Sequence, residues 1–87
     1  MSEQVKTNVV HFKRTDKIIY VTDSQMSIIV GMRNDPDKRN NFVKVGALTF
    51  SPADVSFIEE QVREKYDLPK YFIDRYGQEK DSLIKIN

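Results

Sequence analysis

The sequence predicts a small α+β domain, with a four-stranded antiparallel meander sheet followed by one main helix and a short C-terminal helix, all within a single domain spanning 1–87. Three observations carry this expectation. β-Branched and aromatic runs separated by short polar turns occupy the chain up to Phe50. Ser51-Pro52-Ala53-Asp54 then reads as a helix start. The residues after it carry apolar side chains at helical spacing. The β-rich part is expected over 8–50, the helical part over 51–77, and an edge strand over 82–86.

Asn8 to Lys13 and Lys17 to Thr22 form the first expected hairpin, with Arg14-Thr15-Asp16 as its polar turn. Met26 to Arg33 reads as a third strand, because Met26, Ile28, Val30 and Met32 alternate with Ser27, Ile29, Gly31 and Arg33. Gly31 there suggests a bulge or a close backbone approach. From Arg33 to Asn41 no apolar side chain occurs, and Asp35-Pro36-Asp37 lies at the middle, which predicts a solvated loop. Phe42 to Phe50 resumes the strand pattern, and four consecutive strands with short turns imply a meander.

Ser51 is placed to cap a helix, Pro52 to occupy its first turn, and Asp54 to favour the positive end of its dipole. On a helical wheel from Pro52 to Tyr66, Val55, Ile58, Val62 and Tyr66 fall within about 80 degrees and form a core-facing stripe. Phe57 falls opposite them, either covered by the C-terminal segment or left as an anchor for a partner. Glu59 and Arg63 would then form an i,i+4 pair, and Glu60 and Glu64 would repel. Asp67-Leu68-Pro69 closes this helix or opens a shorter one, with Gly77 as its C-terminal stop.

The chain has no cysteine, so disulfides and thiolate metal sites are excluded and a reducing, cytoplasmic compartment is expected. Met1 to Thr7 is polar, and no window approaches the roughly 18 apolar residues a membrane span requires, so no membrane association is expected. At 87 residues a core together with a deep active-site cleft is disfavoured, and the chain is expected not to be an enzyme. His11, the single histidine, has no Cys, Asp or Glu at ligand spacing and reads as a structural or exposed residue. The three glycines are isolated, so no phosphate-binding glycine loop is present. No cofactor, metal site or catalytic constellation is expected.

The net charge is +1, but its distribution is uneven. Up to Phe50, Lys6, Lys13, Arg14, Lys17, Arg33, Lys38, Arg39 and Lys44 outnumber Glu3, Asp16, Asp23, Asp35 and Asp37, whereas acids exceed bases from Ser51 onward. Cations beside aromatic rings suit single-stranded nucleic acid, because Lys and Arg track phosphates while rings stack on bases. Lys13, Lys17, Arg33, Lys38, Arg39 and Lys44 are therefore the expected phosphate contacts, and Tyr20 and Phe42 the stacking rings, on a basic sheet face and the 33–41 loop.

From Tyr20 to Val62 the expected order is strand, strand, polar loop, a strand ending in Gly-Ala-Leu-Thr-Phe-Ser-Pro-Ala-Asp, then helix. That order is similar to the PC4-like single-stranded DNA-binding domain, in which a Lys-Gly-Ile-(Ser/Thr)-Leu segment leads into the helix. Lys44-Val45-Gly46-Ala47-Leu48-Thr49-Phe50 resembles that segment in part, with one extra residue between Lys44 and Gly46. The resemblance covers about half the chain and implies a curved four-stranded sheet, a dimer and single-stranded DNA as ligand.

The expected function is a small non-enzymatic intracellular binding module for single-stranded nucleic acid. The alternative is a protein-interaction module, a regulator or inhibitor of a larger intracellular machine, using Phe57, Tyr71, Phe72 and Tyr76 in the helical half. An unpaired edge strand would also allow a homodimer.

Overall fold

β-Branched residues on both sides of the first turn make the first two strands, β1 (Gln4–Phe12) and β2 (Ile18–Val21), which pair antiparallel with Val9 opposite Tyr20 and Val10 opposite Ile19. The computed structural model describes residues 3–86, and side chains through Glu79. After β2 come α1 (Asp23–Arg33), β3 (Val43–Val45), β4 (Leu48–Phe50), β5 (Val55–Glu64) and α2 (Lys70–Ile86), with single 3-10 turns at Pro52–Asp54 and Lys65–Asp67.

The α+β class and the antiparallel sheet are present, but the four-stranded meander is not. The sheet has three strands in the order β2-β1-β5, and β3 and β4 form a separate hairpin. The expected fourth strand over Phe42 to Phe50 is not continuous: it folds back at Gly46-Ala47 to make that hairpin, with Val45 opposite Leu48. The chain departs from the expected order at three further places.

The expected third strand is helix α1. Thr22 accepts from the Gln25 backbone N–H at 3.4 Å, and the Gln25 side chain accepts from the Thr22 N–H at 3.1 Å, completing a capping box. Asp23 adds negative charge to the first turn. Gly31 is therefore an ordinary helical residue with open space around it, not a bulge.

The expected main helix is strand β5. Ser51 makes no capping bond, and its hydroxyl instead donates to the Asn40 carbonyl at 3.2 Å. Pro52–Asp54 makes one turn and the chain then extends, pairing with β1 from Val55 opposite Phe12 to Glu64 opposite Gln4, with an irregularity between His11 and Phe12. Pairing along the whole of β1 outweighs the helix preference of Glu59, Glu60, Gln61, Arg63 and Glu64. Of the expected core stripe only Val55 is buried and Ile58 half-buried, while Val62 and Tyr66 are exposed. The Glu59/Arg63 helical pair and the Glu60/Glu64 repulsion accordingly do not arise.

The expected stop at Gly77 and edge strand over 82–86 are both replaced by α2, whose backbone runs helical through Gly77 to Ile86. The order implied by the PC4-like resemblance is thus reversed at two places, with helix where its third strand belongs and strand where its helix belongs.

β1 is central and buried on both faces. On one face Val10, Ile19, Val21 and Val55 meet Ile29 of α1 and Val45 and Phe50 of the hairpin. On the other, Val5 meets Leu68 and Phe72, so α2 covers that side.

Candidate functional site

Pairing β1 with β5 lays the acidic half of the chain against the basic half. Lys6 contacts Glu60 at 3.2 Å and Asp23 at 3.4 Å, His11 contacts Glu59 at 3.0 Å, Arg14 contacts Asp54 at 3.2 Å, and Lys65 contacts Glu3 at 3.7 Å. Part of the uneven charge of the sequence is thereby neutralised within the fold, Lys6 by Glu60 and Arg14 by Asp54. The hydrogen bonds from Lys6 to Glu60 and Asp23 hold its ammonium pKa above the ordinary value.

Six cations of the chain up to Phe50 are left over, and Arg63 of β5 is likewise without an ion pair among the described residues. Lys13, Lys17, Arg33, Lys38, Arg39 and Lys44 make no ion pair among the described residues. They lie around the β1–β2 turn, the end of α1, the loop after it and the hairpin, and two backbone bonds tie the β1–β2 turn and that loop to the Pro52–Asp54 turn. The Lys13 N–H donates to the Asp54 carbonyl at 2.9 Å, and the Ala53 N–H donates to the Arg39 carbonyl at 2.9 Å. Within the exposed loop the Asp35 carbonyl accepts from the Lys38 and Arg39 N–H groups at 3.0 and 2.9 Å, and the Asp35 carboxylate accepts from the Asp37 N–H at 2.9 Å.

The result is a cavity of about 400 Å³ lined by Lys13, Arg33, Asn34, Arg39, Asn40 and Ala53. Its wall holds three cations and two side-chain amides and no carboxylate, a lining that suits an anionic group such as phosphate. A second depression of about 230 Å³ uses the chain neighbours of that lining, with Phe12, Phe42 and Phe50 as its apolar wall and Arg14, Lys17 and Asp54 at its polar part. Phe42 is 76% exposed, an uncommon state for a large apolar ring.

The expected residues divide accordingly. Lys13, Arg33 and Arg39 share the cationic cavity, and Lys17 and Phe42 share the aromatic groove. Lys38 and Lys44 are exposed but line neither. Tyr20 stands apart: it sits half-buried on the α2 side of the sheet, with the Arg63 guanidinium 5.7 Å from its ring centre. The site is therefore an end of the sheet and its loops rather than a sheet face. Asn34, Asn40 and Phe12 belong to it as well, and the repeated asparagines of the polar loop were the available signal.

The C-terminal aromatics do not form one surface. Phe72 is fully buried, Tyr76 stacks on it at 5.9 Å, and Tyr71 is half-buried where α2 meets β2. Phe57 is 53% exposed and stacks on His11 at 4.1 Å. Among the described residues no group of three or more His, Cys, Asp or Glu is placed to hold a metal ion. No helix there is long and apolar enough to cross a membrane. Comparison with protein-family models, curated proteins and solved structures finds nothing that matches this chain.

Proposed function

We propose that this protein is a non-enzymatic module that binds single-stranded nucleic acid at the loop end of its sheet. The observation that carries this reading is the convergence of unpaired Lys13, Arg33 and Arg39 on one cavity, beside a groove with an exposed Phe42. The cations suit a backbone phosphate and the ring suits an unstacked base, a combination that needs no sequence readout.

Titration of a labelled oligonucleotide between about 50 and 200 mM salt tests it. Three phosphate contacts on a single strand give a slope of log K against log salt of about −2. The K13A/R33A/R39A variant should lose most of that slope. Absence of binding at the lowest salt, or a slope indifferent to the triple substitution, rules the reading out.

The protein-interaction alternative rests on Phe57 alone among the aromatics nominated for it, because Tyr71, Phe72 and Tyr76 pack α2 against the sheet.

A further inference from the structure

We propose that the outer edge of β5 is a docking surface for a second copy of this chain, paired antiparallel about a two-fold axis at Gln61. The two outer edges of the sheet are not equivalent. β2 has four residues, and its Tyr20 N–H is taken by the Tyr71 hydroxyl at 3.1 Å. β5 has ten residues, contains no proline, and pairs on one side only.

Which groups face outward follows from the ladder. The Lys65 N–H donates to the Glu3 carbonyl at 2.8 Å, one step beyond the Gln4/Glu64 pair, so Glu3 and Lys65 form a hydrogen-bonded pair. Alternation along the strand then turns the N–H and C=O groups of Ile58, Glu60, Val62 and Glu64 away from β1. Among the described residues they receive no hydrogen bond from another part of the chain. Phe57 and Val62 flank this edge on opposite faces, 53% and 64% exposed.

Charge selects the register. A partner strand centred on Gln61 sets Glu60 opposite Val62 of the second copy and Ile58 opposite Glu64, joined through their outward backbone groups. Between them, Glu59 faces Arg63 of the second copy, and by symmetry Arg63 faces its Glu59. These are the closely spaced, non-hydrogen-bonded positions, where cross-strand side chains interact most strongly. Centring on Glu60 places that carboxylate against itself, centring on Glu59 does the same there, and centring on Val62 sets Glu60 against Glu64 twice. A shift between these centres mismatches the faces of the two sheets. Glu59 and Arg63 are already held upright along one face, each bonded to the Gln61 side chain at 2.9 Å.

The pairing extends one sheet across both copies and leaves the cationic cavities at its two ends. It does not depend on what those cavities bind.

Sedimentation equilibrium from about 1 µM to about 1 mM spans the relevant affinities. The expected result is a monomer–dimer equilibrium that E59R or R63E each weakens about tenfold, since every reversal puts like charges at two symmetric sites. The E59R/R63E double variant should recover wild-type association to within about threefold, a rescue that damage to the monomer cannot produce. A monomer at every concentration, leaving the edge to some other chain, overturns the proposal. So does a dimer indifferent to both single reversals, or a double variant that stays dissociated.

Discussion

The Tyr71 ring lies so close to Gly46 that a Cβ built on the glycine would sit 2.9 Å from the ring's Cγ and Cδ2 atoms. Gly46 has φ of 60° and opens the two-residue turn between β3 and β4, the position that a type II′ hairpin reserves for glycine. Two requirements thus fall on one residue, a left-handed backbone and a missing side chain. Gly46→Ala should destabilise the fold by about 2–3 kcal/mol, part from the backbone and part from the overlap. Denaturant unfolding checks the size. In a Tyr71→Ala background the same substitution should cost clearly less, because only the backbone part remains; equal costs in both backgrounds would refute the steric argument.

Tyr71 also caps the edge of β2, accepting the Tyr20 N–H through its hydroxyl. Tyr71→Phe leaves that donor without its partner and should cost about 1 kcal/mol. Faster amide exchange at Tyr20 is the local signature. Burial pushes the Tyr71 phenol above its ordinary value of 10.0, against the smaller opposing effect of the Tyr20 hydrogen bond. A folded-state pKa above the unfolded one means stability that is complete below pH 10 and falls as pH rises through the folded value. Alkaline denaturation should therefore be blunted in Tyr71→Phe.

The acid side has the opposite sign. Asp23 is held below the ordinary carboxylate range mainly by the Asn8 side-chain N–H at 2.9 Å, with burial opposing and Lys6 assisting. At Glu79, burial pushes upward, but hydrogen bonds from Thr22 and Ser24 and the Arg75 partner outweigh it, so the net shift is downward. Both groups stabilise the fold above their unfolded pKa values, and that contribution is lost as pH falls through the lower folded values. Thr22→Ala removes the α1 cap and the Glu79 donor together. It should cost about 1–2 kcal/mol at pH 7 and narrow the difference between stability at pH 7 and at pH 3. An unchanged pH difference would show that Glu79 does not draw its shift from Thr22.

What the sequence made legible was local. The position of β2, the solvated loop and the part of β1 from Asn8 onward follow from residue type. But β1 starts at Gln4 and buries Val5 and Thr7 ahead of its expected start, the helix expected at Pro52 is a single 3-10 turn, and α1 and β5 were exchanged. Met26, Ile28, Val30 and Met32 alternate, yet the helix buries Ile29 completely and leaves Ile28 and Val30 exposed. Thr22 and Gln25 carried the decisive signal, a capping box that outranks a short alternation. β5 had no such local marker: glutamates, a glutamine and an arginine favour helix, and only a partner more than forty residues away makes them a strand. The site divides in the same manner. Lys13, Arg33 and Arg39 are visible as cations, but their meeting depends on the Lys13/Asp54 and Ala53/Arg39 backbone bonds, which no spacing announces.

The two halves of the candidate site should separate by salt. Arg39 lines the cationic cavity without an ion-pair partner among the described residues, so Arg39→Ala should reduce the salt slope of oligonucleotide binding by about 0.7, one phosphate contact on a single strand. Phe42 carries no charge and projects into solvent beside the groove, so Phe42→Ala should leave the slope unchanged while weakening binding by about 1–3 kcal/mol at every salt concentration, the loss of one stacked base. Lys44→Ala is the internal comparison: its side chain is exposed but lines neither depression, and its effect should stay below that of Arg39→Ala. If Phe42→Ala changed the slope and Arg39→Ala did not, the phosphate and base positions would have to be reversed. If Lys44→Ala matched Arg39→Ala, binding would follow overall charge and the cavity would have no special part in it.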